Sequence, residues 1–254
     1  MNFALILVVL TAITGLITLI DVLFFAKRRK TPMPKLIEQA RSIFPVFLAV
    51  VVFRSFLIEP FRIPSGSLEP TLLVGDFVAV NKFIYGIRLP VIEKKIFTIT
   101  HPKTGEIVVF RWPPDPSLDY IKRVIGIPGD TVAYHNKKLS INGKEIPQTF
   151  LNYETDPASG KTVARYQENL NGVIHDIYTR PDAPSGDFEV KVPENSYFVM
   201  GDNRDDSQDS RYWGVVSDEY LRGKAFLIWM SWDHQQYSVR FKRIGQLISN
   251  MRTK

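Results

Sequence analysis

The sequence predicts a mainly β domain of antiparallel sheets preceded by two transmembrane α-helices. Three observations carry this. Two long apolar runs occupy the first 58 residues, and short stretches of β-branched or alternating apolar residues separated by turn signals fill the rest. Sustained helical periodicity then returns only between Phe241 and Met251, where a terminal helix is expected.

The first element is expected over 1–25. Asn2 to Ile20 is uncharged and rich in Leu, Ile, Val and Ala. At ~1.5 Å rise per residue it spans close to the ~30 Å of a bilayer core. A cleavable signal sequence would place positive charge before the run and a small-residue cleavage site after it; here the charge follows, as Lys27-Arg28-Arg29-Lys30. The second element is a basic loop over 26–41. The third, over 42–58, is an apolar run broken only by Arg54, which sits near its end and can snorkel. Its length also suits a buried core helix, so that reading stays open.

The charge pattern orients these elements. The chain carries 32 basic and 26 acidic residues, a net +6. Taken whole, that surplus suggests nucleic acid or an anionic membrane surface. Residues 1–58 hold seven bases and two acids, so nearly all of the surplus is N-terminal. The positive-inside rule puts the loop in the cytoplasm and everything after Glu59 on the opposite side. No nucleic-acid partner is expected.

The β domain is expected over 59–132 and 194–254, with a more polar β subdomain inserted over 133–193. Strand signals include Phe77 to Val80, Glu106 to Phe110, Tyr120 to Ile125 and Tyr197 to Met200. Asn142-Gly143 between Leu139-Ser140-Ile141 and Lys144-Glu145-Ile146 is a two-residue hairpin signal. Ala225 to Trp232 reads as a buried strand or as an apolar edge with interfacial tryptophans. A 254-residue chain with 45% hydrophobic and 23% charged residues can build a real core and is not disordered.

Cysteine is absent, which removes disulfides, thiolate metal sites and a thiol nucleophile. The four histidines are scattered, with no paired-His spacing, so neither a metal nor another cofactor is expected. Three segments remain that can carry chemistry. Pro64-Ser65-Gly66-Ser67-Leu68-Glu69-Pro70 combines a flexible glycine with flanking prolines, which suits either a plain turn or a fixed, exposed hydroxyl. It is neither a G-x-S-x-G elbow nor an S-x-x-K motif. In Tyr120 to Asp130, strand alternation sends Lys122 and Arg123 to opposite faces, each with apolar neighbours. Burial would depress a lysine there and make it a competent base, whereas solvated edge charges are the alternative. Asp202 to Arg211 is dense in Asp, Asn, Ser and Arg. It lacks a calcium-loop spacing, and Arg204 and Arg211 favour an ion-pair network.

These three boxes, in this order behind the anchor, resemble bacterial type I signal peptidases. The resemblance covers the anchor, roughly Pro60–Asp130 and Ser196–Trp232, with 133–193 matched only by position and β character. It implies a signal-peptidase-like β fold and a Ser–Lys dyad endopeptidase in the bacterial inner (plasma) membrane. Such an enzyme is multi-pass, with its catalytic domain on the periplasmic side, and works through an acyl-enzyme without a cofactor. The implied partners are signal peptides of exported preproteins and the lipid bilayer, with the secretion translocon a further one. On this resemblance Ser67 is the nucleophile and Lys122 the general base. The Ser67 N–H and the Ser65 hydroxyl form the oxyanion hole, and Ser207 hydrogen-bonds the Lys122 amine. Asp209 and Arg211 pair in support, while Asp202 and Arg204 shape the same wall. The pockets for small side chains at positions −1 and −3, giving Ala-x-Ala-type cleavage, map onto Phe61, Ile63, Pro64, Leu68, Leu72, Val78, Val80, Val109, Tyr120 and Ile121.

Leu68 stands where methionine is usual, a volume-conserving change. Nine residues separate Ile58 from Ser67 and reach at most ~30–32 Å, so the nucleophile would stay near the bilayer. Two rivals remain from the sequence: a self-cleaving repressor-type Ser–Lys enzyme, which lacks a membrane hairpin, and a non-catalytic membrane-tethered β module.

Overall fold

The structure, a computed structural model, describes residues 3–26, 29, 32–52, 58–88 and 95–250. Lys27, Arg28, Lys30, Arg54 and Met251, all used in the sequence reading, lie outside the described residues. The chain divides into two compact units, Met1–Ile58 with Gly86–Phe97, and Glu59–Tyr85 with Thr98–Lys254.

In the first unit, α1 (Phe3–Ile20) runs into a π-helical turn, Asp21–Phe25, and α2 spans Lys35–Val52. Side-chain hydroxyls of Thr11, Thr14 and Thr18 bond back to carbonyls of the preceding turn, so these polar residues fit an apolar helix. Gly15 leaves room for Phe44: a Cβ there would stand 2.7 Å from the Phe44 ring. At the end of α1, buried Asp21 takes an ion pair from Arg29 and a 3.6 Å contact from Arg41.

The expectation of two membrane helices needs correcting. Among the described residues one helix, Leu5–Phe25, is long and apolar enough to cross a bilayer. α2 begins seven residues before the expected second run, because the Pro34 carbonyl accepts the Ile37 and Glu38 N–H groups and starts the helix in the basic segment. Lys35, Glu38 and Arg41 therefore occupy its first turns and dilute its apolar character.

The second unit carries β1 (Ile58–Arg62) and β2 (Asp76–Asn81), and a small hairpin of β3 (Ile87–Arg88) and β4 (Lys95–Phe97) falls in the first unit. Then come β5 (Ile107–Trp112) and the long β6 (Asp115–Gly126). The expected insertion holds β7 (Thr131–His135), β8 (Lys138–Ile141), β9 (Lys144–Glu145), β10 (Gln148–Thr155), β11 (Thr162–Leu170), β12 (Val173–Thr179) and β13 (Phe188–Lys191). The chain returns through β14 (Ser196–Met200), the short α3 (Ser210–Trp213), β15 (Val216–Ser217), β16 (Leu221–Asp233) and β17 (Ser238–Val239).

Among the described residues the main sheet has the order β1-β2-β16-β5-β6-β14-β15, with β17 on β16. The pairs given a register are antiparallel, and strand alternation covers both faces with core. Val109 lies opposite Ile121 and joins Ile63, Leu68, Leu72, Val78, Val80 and Ile228 in one cluster. Phe110 lies opposite Tyr120 and joins Val108, Val124, Tyr197 and Val199 in another. A third cluster, including Tyr134, Leu139, Phe198 and Met200, seats the sheet β13-β7-β8-β9 on the main one. β8 and β9 turn on Asn142 (φ 53) and Gly143 (φ 77), the two positive φ angles a type I′ hairpin requires.

β16 is a central strand with Ala225, Ile228 and Ser231 buried, and Trp229 stays 46% exposed. The expected terminal helix is replaced by 3₁₀ turns at Phe241–Arg243 and Ile248–Asn250. Arg240 and Arg243 tie this segment to Asp233 and Asp76, and Gly245 at φ 84 leaves the helical region.

Candidate active site

Ser67 sits in a 3₁₀ turn, Gly66–Leu68, between the exposed Pro64-Ser65 and buried Pro70. The turn is packed closely: a Cβ on Gly66 would stand 2.5 Å from Ala158 Cβ. The Ser67 carbonyl accepts the Asn203 N–H at 3.2 Å, which ties the turn to the segment after β14. Ser67 is only 7% exposed.

Lys122 lies on β6 opposite Val108 and is 4% exposed. Its Nζ hydrogen-bonds Ser67 Oγ and stands 5.8 Å from the Tyr120 ring. Burial lowers its pKa to about 8, against the pull of the Asp209 and Asp202 charges. A hydroxyl touching an amine of that kind can lose its proton and attack an electrophilic carbon.

The other expected residues surround this pair, with differences. The Ser65 hydroxyl makes a long 3.5 Å contact to Ser67 Oγ. Asp209 and Arg211 pair at 2.8 Å, and Asp209 also accepts the Gly201 N–H at 3.0 Å. Burial alone would raise the Asp209 carboxyl, but Arg211 and that N–H hold it low. Asp202 pairs with Arg123 at 2.6 Å and accepts the Thr71 hydroxyl at 2.5 Å. Arg204 crosses instead to Glu168 of the insertion, both fully buried. The wall is thus an ion-pair network in which each buried charge has a partner.

Ser207 departs from expectation. Its hydroxyl is buried and does not hydrogen-bond Lys122; among the described residues it makes no hydrogen bond of regular geometry. Its charged neighbour is Asp209, which it helps to hold low. Gly201 explains the position: a Cβ there would stand 2.3 Å from both Ser207 Oγ and the Ser67 carbonyl oxygen.

The expected pocket residues fall mostly together. Ile63, Leu68, Leu72, Val78, Val80 and Val109 belong to one cluster, with Phe61 and Ile121 half-buried on its margin. Two do not join it. Tyr120 projects to the opposite face of β6 and stacks on Trp112 at 5.0 Å. Pro64 lines a cavity of about 590 Å³ with Ser65, Gly66 and Glu69. A second cavity, about 600 Å³, lies by Thr71 and Arg123 and includes neither Ser67 nor Lys122.

The sequence reading missed Thr71, Gly201, Glu69, Asp156, Asn203 and Glu168. Glu69, Thr71, Gly201 and Asn203 lie inside or beside the quoted boxes. Asp156 and Glu168 come from the insertion and meet the site only through the fold.

A family model described as "Signal peptidase, peptidase S26" matches residues 36–232. "Signal peptidase I" of Pseudomonas fluorescens is 44% identical, with 96% of this chain and 98% of that protein covered. "Signal peptidase I" of Pseudomonas aeruginosa is 42% identical with the same coverage. That of Aquifex aeolicus is 36% identical over 76% of this chain and 84% of that protein.

Proposed function

We propose, for a chain that belongs to the signal peptidase S26 family and is a hydrolase that removes signal peptides, that Ser67 and Lys122 form its catalytic dyad. The observation that carries this is the buried hydrogen bond between Lys122 Nζ and Ser67 Oγ. Neutral Lys122 takes the Ser67 proton as Oγ attacks the scissile carbonyl. The scissile C–N bond breaks as the Lys122 ammonium gives that proton to the leaving amine, which departs and leaves an acyl-enzyme; the amine, neutral again, then takes a proton from the water that releases the acyl group. The Ser67 N–H and the Ser65 hydroxyl face the developing oxyanion, where a donor of that kind contributes about 2.7–4 kcal/mol. The Ser207 hydroxyl, buried without a regular partner, lies beside Asp209. Asp209–Arg211 and Asp202–Arg123 hold the loop that carries it.

Specificity rests on shape. The close-packed apolar cluster leaves substrate only its half-buried margin at Phe61 and Ile121, where steric exclusion favours small side chains, which fits cleavage after Ala-x-Ala. Leu5–Phe25 anchors the enzyme in the inner membrane with the basic segment in the cytoplasm. The catalytic domain is placed on the periplasmic side, where exported preproteins emerge. The chain has no cysteine, so single cysteines at exposed Asp182 and at Lys35, labelled in intact cells with an impermeant maleimide, read this topology directly. Labelling at residue 182 alone is expected; labelling at 35 alone overturns the orientation.

The decisive assay gives the detergent-solubilised protein an Ala-x-Ala signal peptide. Cleavage after the second alanine is expected, rising as pH climbs through about 8 and lost in both S67A and K122A with their folds intact. Activity kept by either variant overturns the dyad.

A further inference from the structure

Two residues beyond the nucleophile, Glu69 places a carboxyl group in the protein interior. It is 1% exposed, and so is Asp156, which lies in the turn between β10 and β11 of the insertion. One backbone N–H, that of Ala158, serves both, at 3.3 Å to Glu69 Oε2 and 3.0 Å to Asp156 Oδ1. Two carboxylates cannot both be ionised at such a place without strong repulsion, so one holds a proton.

The donors decide which. Asp156 also accepts the Ser159 hydroxyl at 2.5 Å and the Asn203 side-chain amide at 3.2 Å. Glu69 has one further donor, the Val74 N–H at 3.4 Å. Asp156, with more donors, keeps the charge, and Glu69 holds the proton. Burial first, and Asp156 second, push the Glu69 carboxyl up to about 8. Its other titratable or charged surroundings are Tyr178 and, around the adjoining cavity, Asp206, Asp233, His234 and Arg240. Arg240 is engaged by Asp233, so no cation pairs with Glu69 among the described residues.

The contacts close a ring. The Ser67 carbonyl accepts the Asn203 N–H, the Asn203 amide donates to Asp156, Asp156 and Glu69 share the Ala158 N–H, and Glu69 ends the turn that carries Ser67, its own N–H bonded to the Gly66 carbonyl at 3.0 Å. We propose that Glu69 is a positioning residue whose protonated carboxyl, sharing the Ala158 N–H with Asp156, closes this ring and fixes Ser67 Oγ against Lys122, and that ionising Glu69 opens it. This rests on the Ser–Lys reading.

The signs of the two titrations oppose. Lys122 becomes a base as pH rises through about 8, whereas the Glu69 bridge is present below about 8 and lost above it. The wild-type kcat/KM should therefore pass through a maximum and fall on the alkaline side. In E69Q the side-chain amide cannot ionise, so the curve should rise to a plateau. At pH 10, each normalised to its own maximum, E69Q should exceed wild type by about threefold or more. E69A should lose about tenfold in kcat with KM little changed, and E69Q should restore most of it. Infrared spectra of wild type should show, at pH 7, a protonated-carboxyl carbonyl band that titrates away near pH 8. Superimposable pH profiles for wild type and E69Q, or no such band, overturn the proposal. If wild type cleaves no signal peptide, or S67A still cleaves it, the Ser–Lys reading fails instead, and the infrared band still decides whether the shared proton exists.

Discussion

Lys122 and Arg123 are neighbours on β6, both buried, and pointed to opposite faces of one strand. On the Arg123 face the guanidinium meets a carboxylate fork, Asp202, through Nε at 2.8 Å and Nη2 at 2.6 Å, and donates to the Gly105 carbonyl at 2.8 Å. On the Lys122 face the ammonium finds a hydroxyl and no carboxylate in ion-pair range among the described residues. Desolvation acts on both cations; a partner offsets it on one face only. The Arg123 face is therefore architecture held by charge, and the Lys122 face withholds a counter-ion, which suits the base proposed there. The comparison explains how a chain with 32 basic residues can make one of them neutral near pH 8.

Breaking the Arg123 face should have the largest effect on the fold. R123M removes the fork and leaves Asp202, fully buried, with Thr71 as its main donor. Losing one member of a buried pair costs about 3–5 kcal/mol. Thermal melts in detergent should show that loss at neutral pH. A variant within about 1 kcal/mol of wild type would mean that the pair is not what holds this face together.

The matching change on the other face should have the opposite sign. The folded state disfavours the Lys122 ammonium, so the cost is full below about pH 8 and fades as pH rises towards the ordinary lysine value of 10.5. K122M is expected to be inactive yet more stable by up to about 3 kcal/mol at pH 7, with the gain closing above pH 10. Paired melts at pH 7 and pH 10.5 test this. A destabilised K122M at pH 7 would show that Lys122 is held as a cation.

The contrast between the faces also marks what the sequence could reveal. Strand alternation alone separates Lys122 from Arg123, and Asn142-Gly143 announces its hairpin, because both are local consequences of backbone geometry. The proposed dyad rests on three motif boxes. What stayed hidden is non-local. Arg204 finds Glu168 and Glu69 finds Asp156 only because the insertion folds back on the catalytic loops, and no spacing encodes that. Segment 241–250 has helical periodicity, yet Arg243 docking on Asp76 and Gly245 at φ 84 override it. The start of α2 was misplaced because charged residues suit an exposed loop and a first helical turn equally well, and the Pro34 carbonyl chose between them.

The smallest expected effect on the fold, with a disproportionate one on catalysis, is at Gly201, where the two faces are joined. Its N–H bonds Asp209 at 3.0 Å, and the Cβ of an alanine would stand 2.3 Å from both Ser207 Oγ and the Ser67 carbonyl oxygen. The serine hydroxyl can swing aside, but the carbonyl is held by the Asn203 N–H and cannot yield without moving Ser67. Overpacking of this kind costs about 1–3 kcal/mol of stability. A displacement near 1 Å at a nucleophile can cost about 100-fold in rate. G201A should therefore fold, melt a few degrees lower, and lose on the order of 100-fold in kcat/KM, with the pH midpoint of Lys122 nearly unmoved. A G201A enzyme whose activity falls only in proportion to its folded fraction would show that the Ser67 turn tolerates the shift, and would place control of the nucleophile on the Glu69 side of the turn.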